Sequence, residues 1–162
     1  MSGPQTAQIY DWCPKGRWLH LVDAENLCGT GAPTAADMLW VRRRYFEVMR
    51  PGPYDHTIVA SSHHAGLVTG AGWPGARLVL GSGVDGADRA LLGAIRTAQE
   101  MVQRFAGIVI ASGDHIFADL AIDLAEAGGT VVVTCGKGRL SRQLAEHAAA
   151  VLPLFDDTVL AA

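Results

Sequence analysis

The chain has little of what marks a secreted, membrane or nucleic-acid-coating protein. Only three of its 162 residues are cysteine. Cys13, Cys28 and Cys135 stand far apart, with no CxxC and no Cys/His pairing at zinc-ligand spacing, so they read as isolated thiols of a reducing compartment. The N-terminus has no basic region followed by an apolar core, and no stretch approaches the ~18 uninterrupted apolar residues of a membrane helix. The expectation is a soluble, cytoplasmic protein with no membrane partner. Positive charge is also scarce: 13 Lys and Arg stand against 16 Asp and Glu, a formal charge of -3. No global field draws in a polyanion, so such a partner would need a local basic patch or metal ions. Internal repeats and low-complexity tracts are absent. What is present is an ordinary globular balance, 49% hydrophobic and 18% charged, in a length with room for one full core.

The stretch from Ile108 to Leu124 organises the rest. Ile108, Val109 and Ile110 are β-branched and predict a strand buried on both faces; Ser112 and Gly113 break it, and Asp114 follows at its carboxyl end. Phe117, Leu120, Ala121 and Leu124 recur at helical spacing, so Asp114 is either the N-cap of that helix or a functional carboxylate. Two other segments repeat the arrangement. Trp18 to Val22 leads into Asp23, with Asn26 three residues on. Arg77 to Leu80 gives way to Gly81-Ser82-Gly83 and the acidic residues Asp85 and Asp88. Leu91, Ile95, Ala98, Val102 and Phe105 then predict one helix. Asp88 falls on its apolar stripe, where a charge is costly unless paired, and this favours Asp88 over Asp85 for chemistry.

Thr34 and Asp37 resemble a capping arrangement for a helix carrying Met38, Val41, Tyr45, Val48 and Met49, which Pro51 stops. His56 to Ala60 predicts a strand with His63 and His64 beyond it. Thr130 to Thr134 predicts another, Gly136 to Arg139 leads into a helix near Ser141, and Val151 to Phe155 is a candidate last strand. Residues 1–17 read as a tail, with Tyr10 or Trp12 against the domain, and residues 18–162 as one domain. Alternation of strand and helix predicts an α/β three-layer sandwich with a central parallel sheet. Loops after parallel strands share one edge, so Asp23, Asp88 and Asp114 converge. Three carboxylates in a partly dry crevice repel one another, and the simplest compensation is a hard divalent cation, Mg²⁺ or Mn²⁺. Asn26 offers an amide to orient a carboxylate, a water or a phosphate, or is an ordinary loop asparagine.

The stretches LVDAENL at 21–27, GADRALL at 86–92 and SGDHIFADL at 112–120 resemble, in order and spacing, the motifs of NYN domains, the PIN-like ribonucleases of the PIN/FLAP nuclease superfamily. The resemblance covers roughly residues 18–135, and the three motifs together are specific. It implies a PIN-like sheet of about five strands. It also implies an acidic pocket of Asp23, Asp88 and Asp114, supported by Asn26, that binds Mg²⁺ or Mn²⁺ and cleaves RNA. Asp85 and Asp119 are further metal-ligand candidates. The chain departs from the family pattern at Ile116, where many members have a second acidic residue, and at Ala94. Asp119 could substitute for the first, or lie on a solvated face with Asp123 and Glu126.

Lys137, Arg139 and Arg142 follow a strand end and are candidate RNA phosphate contacts. Arg42, Arg43 and Arg44 are either such contacts or a solvated helix face, and His63 and His64 either touch RNA or belong to a polar loop. Other chemistries fit less well. Gly29-Thr30-Gly31 lacks the third glycine of a dinucleotide loop, and Ser112 lacks the flanks of a nucleophile elbow. The competing class is a catalytically silent PIN-like module that binds RNA or a protein. A homo-oligomer stays open.

Overall fold

The computed structural model describes residues 13–155 and 159–161; the placement expected for Tyr10 and Trp12 lies outside them. Six parallel strands form the central sheet in the order β3-β2-β1-β4-β5-β7: β1 Trp18–Asp23, β2 His56–Ser62, β3 Arg77–Gly81, β4 Gly107–Ala111, β5 Val131–Thr134 and β7 Ala150–Val151. A separate parallel pair joins β6 (Arg139–Ser141) to β8 (Val159–Ala161). Helices cover both faces of the sheet, giving the expected three-layer α/β arrangement with one strand more than the expected five.

Side chains along a strand alternate between faces, and the sequence obeys this on both sides. Leu19, Leu21, Ile108 and Ile110 enter one core with Leu91, Phe117 and Leu124. Val22, Val59, Val109 and Val132 enter the other with Leu27, Met38 and Tyr45. The first core lies under α4 (Gly86–Gly93), α5 (Ala98–Arg104) and α6 (Ala118–Glu126), and the second under α1 (Ala24–Cys28), α2 (Ala35–Met49) and α3 (Gly66–Gly72). His20, the polar interruption in β1, is buried and satisfied: Nδ1 lies 2.6 Å from the Tyr45 hydroxyl and Nε2 3.1 Å from Asp55 Oδ2.

Several elements depart from the sequence expectation. The single helix expected from Asp88 to Phe105 is two, because Thr97 and Glu100 form a capping box that starts α5 afresh after Gly93; the apolar spacing runs unbroken across the join, so periodicity alone could not show it. The last strand of the central sheet is Ala150–Val151 rather than Val151–Phe155. Leu152 and Leu154 N–H groups still donate to the Val133 and Cys135 carbonyls, 2.8 and 2.9 Å, but Pro153 between them has no N–H to give. Gly136 to Arg139 leads into β6 before α7 (Arg142–Glu146), which Ser141 caps. The helix at Thr34 behaves as expected, with a complete capping box to Asp37. Residues 13–17 are tied to the domain through Trp18 Nε1 to Pro14 O and Arg17 Nε to Arg104 O.

Candidate functional site

The chain builds β1, β2 and β3 outward in one direction, then crosses back to lay β4 on the other side of β1. In such a sheet the connections leaving β1 and β4 part to opposite sides, and a crevice opens between their carboxyl ends. Asp23 ends β1, and Ser112 to Asp114 follow β4, so both flank that crevice. Asp23 shares the strand parity of Leu19 and Leu21 and therefore faces α4, whose first turn carries Asp88. The approach is close: a Cβ on Gly81 would lie 1.8 Å from the Gly86 carbonyl oxygen, so only glycine lets the end of β3 reach the start of α4.

Asp23 is 4% and Asp88 8% exposed, enough burial that each carboxylate needs explicit partners. Asp23 accepts the Asn26 N–H at 3.2 Å and the Ser112 hydroxyl at 3.1 Å, and it hydrogen-bonds Asp88. Burial pushes Asp23 well above the usual carboxylate range, and the Asp88 charge adds to it; the bonds from Asn26 and Ser112 pull the other way. Burial also raises Asp88, with Asp114, Asp85 and Glu25 adding repulsion, while its bond to Asp23 opposes the rise. At both carboxyls the balance is upward, so this buried pair favours protonation more than free carboxyls do. No Lys or Arg is among the leading causes of either shift.

Asp114 is a cap, as one of the two sequence readings has it, and it also borders the cleft at the carboxyl edge. Its Oδ1 accepts the Ile116 N–H at 3.0 Å and caps the short 3-10 turn His115–Phe117. It also lines, with Asp23, Asp85, Asp88, Glu25 and Asn26, one cleft of about 440 Å³. Asn26 is a hub: its Oδ1 accepts the Gly113 N–H at 3.0 Å, fixing the loop after β4 to the loop after β1. Among the described residues, however, no group of three or more His, Cys, Asp or Glu side chains is already arranged to hold a metal ion. The oxygen donors share a cleft without forming a closed shell.

A second cleft of about 620 Å³ adjoins the first and shares Asn26 and Asp114 with it; Arg139, Ser141 and Arg142 line its other side. Backbone contact holds this basic segment in place. The Ser141 N–H donates to the Gly113 carbonyl at 2.8 Å, and a Cβ on Gly113 would lie 2.3 Å from the Arg139 carbonyl oxygen. Of the three cations expected near the acidic edge, Arg139 and Arg142 thus line a cleft. Lys137 lines neither; its Nζ sits 4.4 Å from the Trp40 ring centroid.

Other expected residues are placed elsewhere. Arg42 lies over the Phe46 ring at 4.3 Å, Arg43 pairs with Glu47 at 3.2 Å, and Arg44 donates to the Leu154 carbonyl at 2.6 Å. None of the three lines either cleft, in keeping with a helix face bound up in local contacts. His63 and His64 hold loops beside the acidic cleft: His63 Nδ1 meets the Ser82 hydroxyl at 2.6 Å, and His64 Nε2 donates to the Gly31 carbonyl at 2.9 Å. Asp119 is exposed and outside both clefts. Ile116 packs half-buried against the core. Ala94 lines a cleft with His56 and Arg77, residues at the amino ends of β2 and β3, so an acid there would not join Asp88's site.

Two participants were missed in the sequence. In the sequence Ser112 reads as a strand break without the flanks of a nucleophile, yet its parity with Ile108 and Ile110 turns it toward Asp23. Glu25 accepts the Ser62 N–H at 2.8 Å and the Ser62 hydroxyl while lining the acidic cleft; its place beside Asp23 was the available signal. No helix among the described residues is long and apolar enough to cross a membrane. No protein-family model matches the chain, and no curated protein matches it.

Proposed function

We propose that the protein is a metal-dependent ribonuclease, with Asp23, Asp88 and Asp114 as ligands for Mg²⁺ or Mn²⁺ and Asn26 as their positioning residue. The observation that carries this reading is the meeting of Asp23, Asp88 and Asp114, from three separate chain segments, in one cleft at the β1/β4 crevice that no described Lys or Arg lines. An all-oxygen, anionic donor set is the chemistry a hard cation selects. The match to the NYN motifs points the same way.

The chain's own residues have definable tasks. Asp23 and Asp88 would have to be ionised against their upward shifts to act as a two-carboxylate donor pair, and the N–H of Asn26 and the hydroxyl of Ser112 hold Asp23 in place. Asn26 keeps Asp114 in register by gripping Gly113. Arg139 and Arg142 line the neighbouring cleft, where their guanidinium groups can pair with backbone phosphates and hold the strand across the carboxylates. When bound, a divalent cation supplies charge neutralisation at the scissile phosphate and an acidified water.

The test is cleavage of labelled mixed-sequence RNA in Mn²⁺, Mg²⁺ or EDTA. Turnover that needs the metal supports the enzyme, whereas turnover that persists in EDTA refutes this mechanism. RNA binding indifferent to chelator, with no cleavage under any metal, would favour the silent binding module, a reading to which the absence of a closed shell among the described residues lends weight.

A further inference from the structure

At the opposite, amino edge of the sheet lies a separate cleft of about 520 Å³. Its floor is apolar, with Leu19, Met101 and Phe105. Its rim is basic: Arg77 opens β3, Arg96 lies between α4 and α5, and Arg104 ends α5, all three exposed. Arg17 adds a fourth guanidinium beside them, 5.1 Å from the Phe105 ring centroid, and its Nε donates to the Arg104 carbonyl at 3.0 Å. The ring of His56 meets Phe105 edge-on at 5.5 Å.

Little negative charge offsets this group. Asp55 is the one carboxylate among the cleft's lining residues, and it already accepts the N–H groups of Trp18 and Gly52, both at 2.7 Å, and faces His20. Glu100 is engaged by Arg96 at 3.5 Å. Among the described residues Arg77 and Arg104 have no carboxylate partner. A chain of net charge -3 has thus gathered guanidinium groups from separate segments around one concavity. Planar guanidinium forks match phosphate oxygens, and a cleft of this volume admits a small organic body.

We propose that this amino-edge cleft binds a nucleotide phosphate, with Arg77 and Arg104 contacting the phosphate and the concavity between the arginines receiving the rest of the nucleotide; Arg104 already rests against the buried Phe105 ring, 5.8 Å from its centroid, which holds it at the rim. A free mononucleotide and the 5′-phosphorylated end of an RNA share that chemistry. The site stands apart from the acidic crevice and does not depend on metal or on cleavage.

The experiment is calorimetric titration of the full chain in EDTA with ATP, with a short single-stranded RNA bearing a 5′-phosphate, and with the same RNA ending in a 5′-hydroxyl. Saturable binding of ATP identifies the free nucleotide, and binding of the 5′-phosphorylated RNA in preference to its hydroxyl form identifies the RNA end. In either case Arg77→Ala with Arg104→Ala weakens binding about tenfold or more, Arg77→Lys by less because it keeps charge without the fork, and Arg43→Ala not at all. Both rim residues are exposed, so an unchanged melting temperature is expected to accompany the loss. No binding of any probe, binding that the paired Arg variant leaves intact, or a preference for oligoglutamate would overturn the proposal. Because no arm requires divalent metal, failure here is distinguishable from failure of the ribonuclease reading.

Discussion

Replacing Asp88 by Asn takes one ionisable carboxyl out of the buried pair while keeping the side chain's shape and offering Asp23 an amide N–H. Two unit charges about 4 Å apart repel by about 4 kcal/mol at an effective dielectric of about 20. The upward shift of both carboxyls relieves part of that, so the metal-free variant should gain about 1–2 kcal/mol at neutral pH. For a chain of this length that is roughly 2–8 °C in Tm. The pH dependence follows from the direction of the shifts. Asp23 and Asp88 both lie above their ordinary values in the fold, so the folded state binds more protons than the unfolded one. The wild type is free of the penalty below about pH 4 and loses stability as pH rises through the folded-state values of the pair. The Tm difference between Asp88→Asn and wild type should therefore be small near pH 4 and grow toward neutrality. Saturating Mn²⁺ should reverse the order, since a ligand at about 100 times its Kd adds about 2.7 kcal/mol to the protein that binds it. The assay is thermal unfolding by circular dichroism across pH, with EDTA and then Mn²⁺. An Asp88→Asn protein less stable than wild type at every pH would refute the repulsion argument and leave Asp88 as a structural partner of α4.

Ile116→Asp, the substitution that restores the commoner NYN pattern, should lower stability by about 1–3 kcal/mol without raising RNA cleavage, because Ile116 packs on the core; a rise in activity would show that the new carboxylate reaches the cleft. Asn26→Ala strips the Gly113 N–H of its acceptor and should cost about 1–3 kcal/mol in denaturant unfolding, with Asn26→Asp the milder change since it keeps an acceptor. Asp55 lies below the usual carboxylate range: burial pushes it up, but His20 and the N–H groups of Trp18 and Gly52 outweigh this. Its stabilisation should be present above about pH 4 and fade as pH falls through the lowered value, so Asp55→Asn should flatten the acid limb of the stability profile. Arg139→Ala and Arg142→Ala should each weaken RNA binding at low salt and reduce the slope of log K against log salt by about 0.7, the single-strand value per phosphate contact; an unchanged slope would remove them from the RNA path.

What could be read from the sequence was whatever a single strand or helix period encodes. The β-branched run Ile108 to Ile110 and the strand ending at Asp23 placed two carboxylates on one edge, and the stripe position of Asp88 implied the burial that the fold displays. Contacts between distant segments were not legible. Nothing local in Lys137 indicates that Trp40 will sit beneath its ammonium, nothing in Ala94 that it faces the opposite edge, and nothing in Ile116 that the turn capped by Asp114 rotates it into the core. The basic cleft at the amino edge was hidden for the same reason. Its arginines come from the tail, a strand start, a loop and a helix end, and each alone reads as a solvated charge.

The most direct test of the central claim is Mn²⁺ titration by calorimetry at pH 7, in two buffers of different ionisation enthalpy, for wild type and for Asp23→Asn, Asp88→Asn and Asp114→Asn. The account expects saturable binding by wild type with proton release, because carboxyls whose burial favours the protonated form must ionise as they become ligands. It expects all three variants to weaken the same event and to lose metal-dependent RNA cleavage with it. Saturable Mn²⁺ binding that one of the three leaves unchanged, or no saturable binding by wild type, would contradict it.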